Sequence, residues 1–242
     1  MILKTIAAGP LVQQVLYDNI RLSPDDNYRE LAAKAEIRRQ SGYWLRTKHH
    51  ALAALICHNF GSGSWFVTLD YSEGKLPPDR AVALRNYNYA MSKLRRRCGP
   101  VKSVRCLEHR HGVGRWHMHV VIDGATPEEI RAAWSTYGGA YCVPLDLRRV
   151  FRWVDDRGRL HKGLASYMCK ELPEKPGQRQ YQPSLRLPRP ECVREIVPDG
   201  YRLTVPEGAE LLERFPLTVN VYGQSVAQSY LNPSNPKGDK GV

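Results

Sequence analysis

The chain has 242 residues, of which 42% are hydrophobic, enough for a packed core in one or two domains. Lysine and arginine outnumber aspartate and glutamate by 36 to 24, so the formal net charge is +12. This charge predicts an anionic partner, either nucleic acid or a membrane surface, and the absence of any run of eighteen apolar residues argues against a membrane span. The six cysteines include no Cys-x-x-Cys pair, which disfavours a zinc ribbon and is consistent with reduced thiols in a cytoplasm.

Helix and strand patterns follow one another along the chain. The Ser-Pro-Asp-Asp signal at residues 23–26 predicts a helix start, and the helical pattern continues to about His58 with one break near Ser41-Gly42. After a Gly-Ser joint at 61–64, the pattern predicts a strand at 65–71, a helix at 78–97, strands at 101–108 and 115–122, a helix at 127–137, a strand at 143–153 and a helix around Tyr167. This order predicts an α+β fold with a ferredoxin-like antiparallel sheet, as in RNA-recognition modules, and with helices on one side.

The composition changes on either side of this middle region. Residues 1–60 are predicted to form a helical N-terminal extension, and residues 61–175 the central domain. After Pro173 prolines become frequent and the regular pattern fades, so we expect residues 176–242 to be an irregular C-terminal extension, in which Phe215 to Tyr222 could still form a strand. Its end, from Asn232, is rich in Pro, Gly, Asn and Lys and is predicted to be disordered.

The run from Gly114 to Asp123 alternates like a strand and carries two histidines, His117 and His119. Apolar side chains at positions 116, 118, 120 and 122 occupy one face, so the two imidazoles point together from the other face. Two neighbouring imidazoles on a rigid strand are part of a metal site. A half-buried strand in a basic protein can also carry two outward histidines by chance. Further ligands elsewhere in the sequence would favour a metal site over a chance pair.

Glu108 offers a third ligand. It lies nine residues before His117, at the end of the predicted strand 101–108, and the glycines at 112 and 114 indicate a hairpin turn that brings it back beside the histidines. Two histidines and one carboxylate leave coordination positions open for water or a phosphate oxygen, as a catalytic metal requires. These ligands suit Mn²⁺, whereas cellular abundance favours Mg²⁺, so we expect one of these two ions on Glu108, His117 and His119.

Tyr167 is the candidate nucleophile. On a helix over residues 164–172 the apolar side chains form one arc, and Tyr167 and Lys170 fall on the opposite arc. A structural tyrosine would normally join the apolar stripe, although a solvated helix face with an amphipathic tyrosine is an alternative explanation. Because a tyrosine hydroxyl has a pKa of about 10, a nearby ammonium would help by stabilising the phenolate or by shielding charge on a phosphate under attack.

Together these residues resemble the HUH endonucleases, and in particular the single-tyrosine rolling-circle replication initiators of small bacteriophages and plasmids. Their first motif, a strand of the type Phe-Leu-Thr-Leu-Thr, is similar to the run at 65–70. Their second motif is glutamate, a glycine-containing turn and His-x-His, and their third is Tyr-x-x-Lys. These two motifs are matched by Glu108, Gly112, His117 and His119, and by Tyr167 and Lys170.

The resemblance covers about residues 64 to 172. The order of the motifs distinguishes the chain from one related class. In conjugative relaxases the tyrosine precedes the histidines, whereas here it follows them. Families with a second nucleophile place another tyrosine one helical turn away. The upstream position at that distance is Gly163, so a two-tyrosine mechanism is not expected.

The resemblance implies a metal-dependent enzyme that nicks and rejoins one DNA strand through a 5′-phosphotyrosine intermediate, in the cytoplasm of a bacterial host. Tyr167 would be the nucleophile, and Lys170 would stabilise charge. The partners would be single-stranded or hairpin origin DNA and the host replication helicase and polymerase, with no membrane partner and no organic cofactor. We expect DNA contacts from Thr68, Asp70, Arg115, Arg148, Arg149 and Arg152.

Three of these arginines belong to a segment in which cations and aromatics are interleaved. Arg148, Arg149 and Arg152 surround Phe151 and precede Trp153. This pattern is typical of a single-stranded DNA track, since aromatics stack on bases while cations follow phosphates. A strand that packs both aromatics into the core explains the pattern equally well.

Other classes of protein remain as alternatives. A non-catalytic nucleic-acid-binding protein on the same sheet would display paired aromatics on its central strands, where this chain has His117 and His119. An HUH transposase or relaxase-like strand transferase is also possible on these motifs. A metallo-β-lactamase-like hydrolase would need aspartate at position 121, which is valine, and a cupin would need a glutamate soon after the histidines, where none occurs between 120 and 127.

Overall fold

The computed structural model describes residues 1–44, 47–109, 115–154, 157–170, 179–185 and 187–232. Within those residues the protein is α+β, with strands paired antiparallel, and the predicted class is confirmed. The chain folds into two compact units. The first unit comprises residues 1–58, 148–165 and 188–242, and the second unit comprises residues 59–147 and 166–187.

The elements are numbered in chain order. The strands are β1 (Ile2–Ala8), β2 (Leu11–Tyr17), β3 (Trp65–Asp70), β4 (Lys102–His109), β5 (Trp116–Asp123), β6 (Ala140–Pro144), β7 (Arg152–Val154), β8 (Leu160–Lys162), β9 (Gln182–Pro183), β10 (Cys192–Ile196), β11 (Glu210–Asn220) and β12 (Gly223–Leu231). The α-helices are α1 (Tyr28–Trp44), α2 (Lys48–Asn59), α3 (Arg80–Cys98), α4 (Pro127–Trp134) and α5 (Leu164–Met168).

The second unit is built on a five-stranded sheet in the order β6-β3-β5-β4-β9. Alternate residues of the central strands, such as Val67, Met118 and Val120, point to one face and form a core with side chains of α3 and α4, including Leu94 and Trp134. The other face of β4 and β5 is therefore free of these two helices, and polar side chains of the strands are directed to it.

Capping residues fix the starts of α3 and α4. The side chain of Asp79 accepts a hydrogen bond from the Val82 amide at 2.8 Å. Thr126 and Glu129 form a reciprocal capping box at the start of α4. The two helices therefore begin within two residues of their predicted starts, whereas α4 ends at Trp134, before the predicted end at residue 137.

The predicted strand over residues 143–153 is wrong in its extent. Strand β6 ends at Pro144, a 3₁₀ turn follows at Leu147–Arg149, and β7 pairs with β8 in a separate two-stranded ribbon. Pro144 has no amide hydrogen for a ladder. The next amide, of Leu145, donates instead to the carbonyl of Ser64 at 2.9 Å, so the chain leaves the sheet at this point.

The prediction of a helical N-terminal extension is wrong for residues 1–17. Strands β1 and β2 form a hairpin across Gly9-Pro10, where Gly9 has a positive φ of 56°. The glutamines that break the apolar pattern lie within the sheet: Gln13 is buried, and Gln14 Oε1 accepts from Gln228 Nε2 at 2.6 Å. Cross-strand amide pairing therefore makes Gln14 compatible with a strand, whereas the buried side-chain amide of Gln13 has no hydrogen-bond partner among the described residues.

The two predicted helices of this region are present with different bounds. Helix α1 starts at Tyr28, after Asn27 and Glu30 exchange side-chain-to-backbone hydrogen bonds of 3.0 and 3.1 Å. The Ser-Pro-Asp-Asp signal at 23–26 forms a turn before that cap rather than the helix start. The break between α1 and α2 falls after Trp44, close to the predicted position.

The prediction of an irregular C-terminal extension is also wrong within the described residues. Strands β10, β11 and β12 join β1 and β2 in a second five-stranded sheet with the order β10-β1-β2-β12-β11. The partners are distant in sequence, as the bond between Gln14 and Gln228 shows with its separation of 214 positions. The predicted disordered end at 233–242 lies outside the described residues.

Two expectations drawn from composition concern thiols and membrane spans. All six cysteines lie in the described part of the chain, and none of them forms a disulfide. Among the helices that the structure describes, none has both the length and the apolar character that crossing a membrane requires.

Candidate metal centre

Strands β4 and β5 of the second unit place three metal-ligating side chains on one face. In the antiparallel register Glu108 lies opposite His117, and His119 lies two positions farther along β5, opposite Cys106. Because strand residues alternate between faces, Glu108, His117 and His119 all point away from the layer of α3 and α4. The predicted turn glycines at 112 and 114 lie outside the described residues.

The three side chains converge on one carboxylate oxygen. Glu108 Oε2 lies 2.8 Å from His119 Nε2 and 3.2 Å from His117 Nε2. One ligand atom from each residue lies within 4.8 Å of the other two. A set of two imidazoles and one carboxylate at this spacing could hold a single metal ion, and the predicted convergence of these three side chains is confirmed.

Hydrogen bonds on the far side of each ring orient the imidazoles. His119 Nδ1 lies 3.3 Å from the Thr68 hydroxyl, and His117 Nδ1 lies 3.0 Å from the carbonyl oxygen of Arg115. The tautomer with a proton on Nδ1 can donate to these oxygens and leaves Nε2 available to a metal, whereas the tautomer with a proton on Nε2 lets His119 donate to Glu108 Oε2 at 2.8 Å. Thr68 and Arg115 thus position the histidines, a role that the sequence did not reveal.

Burial and mutual contact favour the metal-binding forms of the ligands. The side chains of Glu108 and His119 are 6% and 3% exposed, and that of His117 is 23% exposed. Burial lowers the pKa of His119, against the opposing effect of Glu108, and so favours the neutral imidazole. Burial alone would raise the pKa of Glu108, but hydrogen bonds from Lys170 and His119 outweigh it and hold that pKa below its usual value.

Tyr167 lies directly beside these ligands. The centre of its ring is 4.7 Å from that of His119 and 6.4 Å from that of Phe66. The side chain is 46% exposed, so a ligand in solvent can reach it. The carrying helix α5 covers only Leu164–Met168, which is shorter than the predicted 164–172, and residues 171 and 172 lie outside the described part of the chain.

Lys170 follows α5 and bridges the tyrosine to the ligand cluster. Its backbone amide donates to the carbonyl of Tyr167 at 3.3 Å, and its Nζ lies 4.1 Å from the centre of the Tyr167 ring. The same Nζ lies 2.8 Å from Glu108 Oε2. Burial lowers the pKa of Lys170, but the contact with Glu108 outweighs it and raises the pKa above its usual value, so the ammonium form is favoured. The predicted proximity of Tyr167 and Lys170 is therefore confirmed, although a turn after the helix produces it.

Strand β3 contributes three side chains to the face that carries the ligands. By alternation Phe66, Thr68 and Asp70 point to the face that carries the ligands, with Thr68 opposite His119 and Asp70 opposite His117. The Phe66 ring centre is 5.8 Å from that of His119. Sequence reasoning did not single out Phe66, but the period-two pattern of β3 next to the histidine strand would have identified it.

The other predicted DNA-contacting arginines belong to the first unit. Arg152 Nε lies 3.1 Å from the carboxylate of Glu213, whose side chain is 6% exposed. The Arg149 guanidinium lies over the ring of Trp153, 4.4 Å from its centre. Arg152 therefore has a protein counter-ion, and DNA contacts by Arg148, Arg149 and Arg152 stay a prediction.

The aromatics of that segment are packed against other side chains. Phe151 is 1% exposed and lies in the core. The Trp153 ring stacks on His161 with centres 4.5 Å apart. Packing into the core therefore accounts for Phe151, whereas Trp153 is only half-buried.

Comparisons of the chain with protein-family models, with curated proteins and with solved structures find no match. The resemblance to HUH endonucleases therefore depends on the motifs quoted above. The function of the site is inferred from the residues that it contains and from their distances.

Proposed function

We propose that this chain is a metal-dependent, single-tyrosine DNA endonuclease of the HUH type that initiates rolling-circle replication. The observation that carries the proposal is the meeting of Tyr167 and Lys170 with Glu108, His117 and His119. A metal-binding cluster, a positively charged group and an accessible hydroxyl at one point are the parts that transfer of a phosphoryl group to tyrosine needs.

The strand order of the second unit supports the proposal. The sequence β3-α3-β4-β5-α4-β6, with a sheet ordered β6-β3-β5-β4, is the split βαβ arrangement of ferredoxin-like proteins. This is the fold that the HUH resemblance implies. Its two central strands are β3 and β5, and the histidines lie on β5.

The chemistry proposed for the chain is a transesterification. The Tyr167 hydroxyl oxygen forms a bond to the scissile phosphorus while the bond from phosphorus to the 3′-oxygen breaks. The tyrosine loses its proton and the 3′-oxygen gains one, which gives a 5′-phosphotyrosine link and a free 3′-hydroxyl. When bound, Mg²⁺ or Mn²⁺ would supply Lewis acidity toward the scissile phosphate.

Reversal of this step explains rejoining. No water is consumed and the phosphodiester energy is retained in the protein–DNA link, so a later 3′-hydroxyl can attack the phosphotyrosine and reseal the strand without a nucleotide cofactor. In replication the first 3′-hydroxyl would prime the host polymerase while a host helicase opens the duplex. The substrate would be single-stranded or extruded-hairpin origin DNA, since the scissile phosphate must reach both Tyr167 and the ligand cluster.

Steric contacts support the use of one tyrosine. Gly163 stands one helical turn before Tyr167, and a Cβ atom at that position would lie 2.5 Å from the Phe151 backbone. A tyrosine could not replace Gly163 without displacement of that backbone. The strand-transfer cycle is accordingly assigned to Tyr167 alone.

A nicking assay tests the proposal. A labelled hairpin oligonucleotide with a single-stranded extension is incubated with Mn²⁺, with and without chelator, and with wild type or the double variant His117→Ala/His119→Ala. Wild type should nick only in the absence of chelator, and the double variant should be inactive. The variant His161→Ala removes an imidazole of the first unit that stacks on Trp153, and should keep its activity.

Either of two results would contradict the proposal. Chelator-resistant nicking, or unchanged nicking by the double variant, would exclude the assigned metal centre. Tight DNA binding without any nicking by wild type would favour the alternative of a non-catalytic nucleic-acid-binding protein.

A further inference from the structure

A small cavity on the second unit is lined by three arginines. It has a volume of about 230 Å³ and lies beside strand β4, the first turns of α3 and the segment 179–182. The lining side chains are those of Arg80, Leu84, Arg105, Leu107, Arg179, Gln180, Tyr181 and Gln182. None of these lining residues is acidic, so the cavity concentrates positive charge.

The three guanidinium groups have no carboxylate counter-ion among the described residues. Arg105 is half-buried, and its guanidinium lies 4.9 Å from the centre of the Tyr87 ring. The Tyr87 hydroxyl is itself bonded to Ser103 at 3.0 Å, so the ring that supports Arg105 is fixed. A partly buried cation that lacks an anion is costly, and the addition of an anion would offset that cost.

The mutual proximity of the arginines also favours the binding of an anion. Burial lowers the pKa of Arg105 against an opposing effect of Tyr87, and the nearby positive charge of Arg80 lowers it further. Like charges are therefore held close together at the cavity. Such an arrangement is stabilised when an anion binds between the charges.

The cavity is separate from the metal centre. Arg105 and Leu107 point from the face of β4 opposite to that of Cys106 and Glu108, because strand residues alternate. Gln182 lies opposite Arg105 in the pairing of β9 with β4, so the segment after the Tyr167 helix forms one wall. The metal ligands and the arginine cavity thus lie on the two faces of the same edge of the sheet.

We propose that Arg80, Arg105 and Arg179 form a second phosphate-binding site, which holds a backbone phosphate of the DNA strand away from the cleavage point. Planar guanidinium groups match phosphate oxygens with paired hydrogen bonds, and a cavity of this volume accepts a phosphate with part of its sugar. Gln180, Tyr181 and Gln182 line its wall, where the adjoining nucleotide would be. This inference rests on the proposed function because it takes single-stranded DNA as the ligand.

Binding measurements without catalysis test the site. The full chain carrying Tyr167→Phe is titrated, in the presence of chelator, against a fluorescein-labelled single-stranded oligonucleotide, and the association constant is read from anisotropy at several salt concentrations. The test variant adds Arg80→Gln and Arg179→Gln. The control variant adds Arg96→Gln and Arg131→Gln, which remove the same charge from exposed positions of α3 and α4 that do not line the cavity.

The test variant should bind about tenfold more weakly, as loss of a charge-assisted contact predicts. The logarithm of its association constant should also fall less steeply with the logarithm of salt concentration. The magnitude of this slope should decrease by about 0.7, the value expected for loss of one phosphate contact to a single strand. The control variant should change the slope much less. Equal effects of both variants, or no effect of the test variant, would overturn the site. Circular dichroism of each variant checks that the fold is intact.

A competition arm distinguishes the source of the phosphate. Deoxynucleoside monophosphate should displace the oligonucleotide only at concentrations far above the oligonucleotide dissociation constant. Displacement at comparable concentrations would assign the cavity to a free nucleotide and overturn the proposed strand site. Nicking by wild type is measured separately: a wild type that never nicks but shows cavity-dependent binding refutes the nuclease and leaves the binding site in place.

Discussion

Glu108 Oε2 and Lys170 Nζ lie 2.8 Å apart, and this ion pair joins the metal-ligating strands to the segment that carries Tyr167. Glu108 is fixed in β4, whereas Lys170 follows directly after α5. A metal cation bound at Glu108 would compete with the ammonium for the same carboxylate oxygen. The lysine should therefore affect catalysis and metal affinity in opposite directions, which makes the pair testable.

The variant Lys170→Gln removes the ammonium and keeps a side chain of similar length. At saturating Mn²⁺ nicking should slow by about 10²-fold, or about 2.7 kcal/mol of transition-state stabilisation. The Mn²⁺ affinity should not fall, because Glu108 loses a competitor. Lys75→Gln, which removes a contact to the carbonyl of Thr136, is the control and should leave both quantities unchanged. A parallel fall in metal affinity and rate would show that Lys170 instead maintains the ligand set.

Thr68→Val tests the role of the hydroxyl that orients His119. The change keeps the shape of the side chain and removes the partner of His119 Nδ1, so Mn²⁺ should bind about 10- to 100-fold more weakly. Calorimetry in the absence of DNA measures this effect. Thr218→Val on β11 is the matched control. If Thr68→Val binds Mn²⁺ normally but binds DNA more weakly, Thr68 contacts DNA and does not orient His119.

The structure of the DNA should affect affinity as well as cleavage. At one salt concentration the protein should bind single-stranded or hairpin DNA more tightly than a blunt duplex of the same sequence. Affinity should also fall steeply between about 50 and 200 mM salt, because backbone contacts release counterions. Equal affinities for hairpin and duplex would argue against the proposed substrate.

The stability of the first unit should depend on His49. Burial, followed by the charges of His50 and Arg152, lowers the pKa of His49 from 6.5 to about 4. As pH falls below 6.5, the unfolded chain therefore takes up a proton before the folded chain does, so stability is full above that pH and is lost on the way down to about 4.

Partial exposure of the ring reduces this effect to about 1 kcal/mol between about pH 7 and pH 5. Urea unfolding at the two pH values measures it. The variant His49→Gln cannot titrate and should lose less free energy of unfolding over the same interval. An identical loss in the variant would assign the acid sensitivity to other groups.

Local patterns predicted the second unit well. The period-two alternation of β5 and the glycine turn before it placed His117, His119 and Glu108 together, and the register confirms that placement. Helix and strand signals in this unit act between neighbours in sequence, and its central hairpin of β4 and β5 is local. Because one face of β4 and β5 is buried, a shift of their register by one residue would expose the apolar side chains, so the register is strongly specified.

The first unit was poorly predicted because its sheet is assembled from distant segments. Gln13 and Gln14 interrupt an apolar run. Pairing with β12 makes Gln14 compatible with a central strand through its bond to Gln228, whereas the buried Gln13 amide has no hydrogen-bond partner among the described residues. The orienting contact of Thr68 was missed for a related reason, since it depends on the pairing of β3 with β5, and that of Arg115 was missed because it uses a backbone carbonyl rather than a side chain.

The most direct test of the central claim is the identity of the residue that becomes linked to DNA. Wild type, Tyr167→Phe and the control Tyr181→Phe are incubated with origin oligonucleotide and Mn²⁺, and protease-digested adducts are analysed by mass spectrometry. The account predicts a 5′-phosphate ester on the peptide containing Tyr167 in wild type and in Tyr181→Phe, with none in Tyr167→Phe. An adduct that persists in Tyr167→Phe, or that maps to Tyr181, would contradict it.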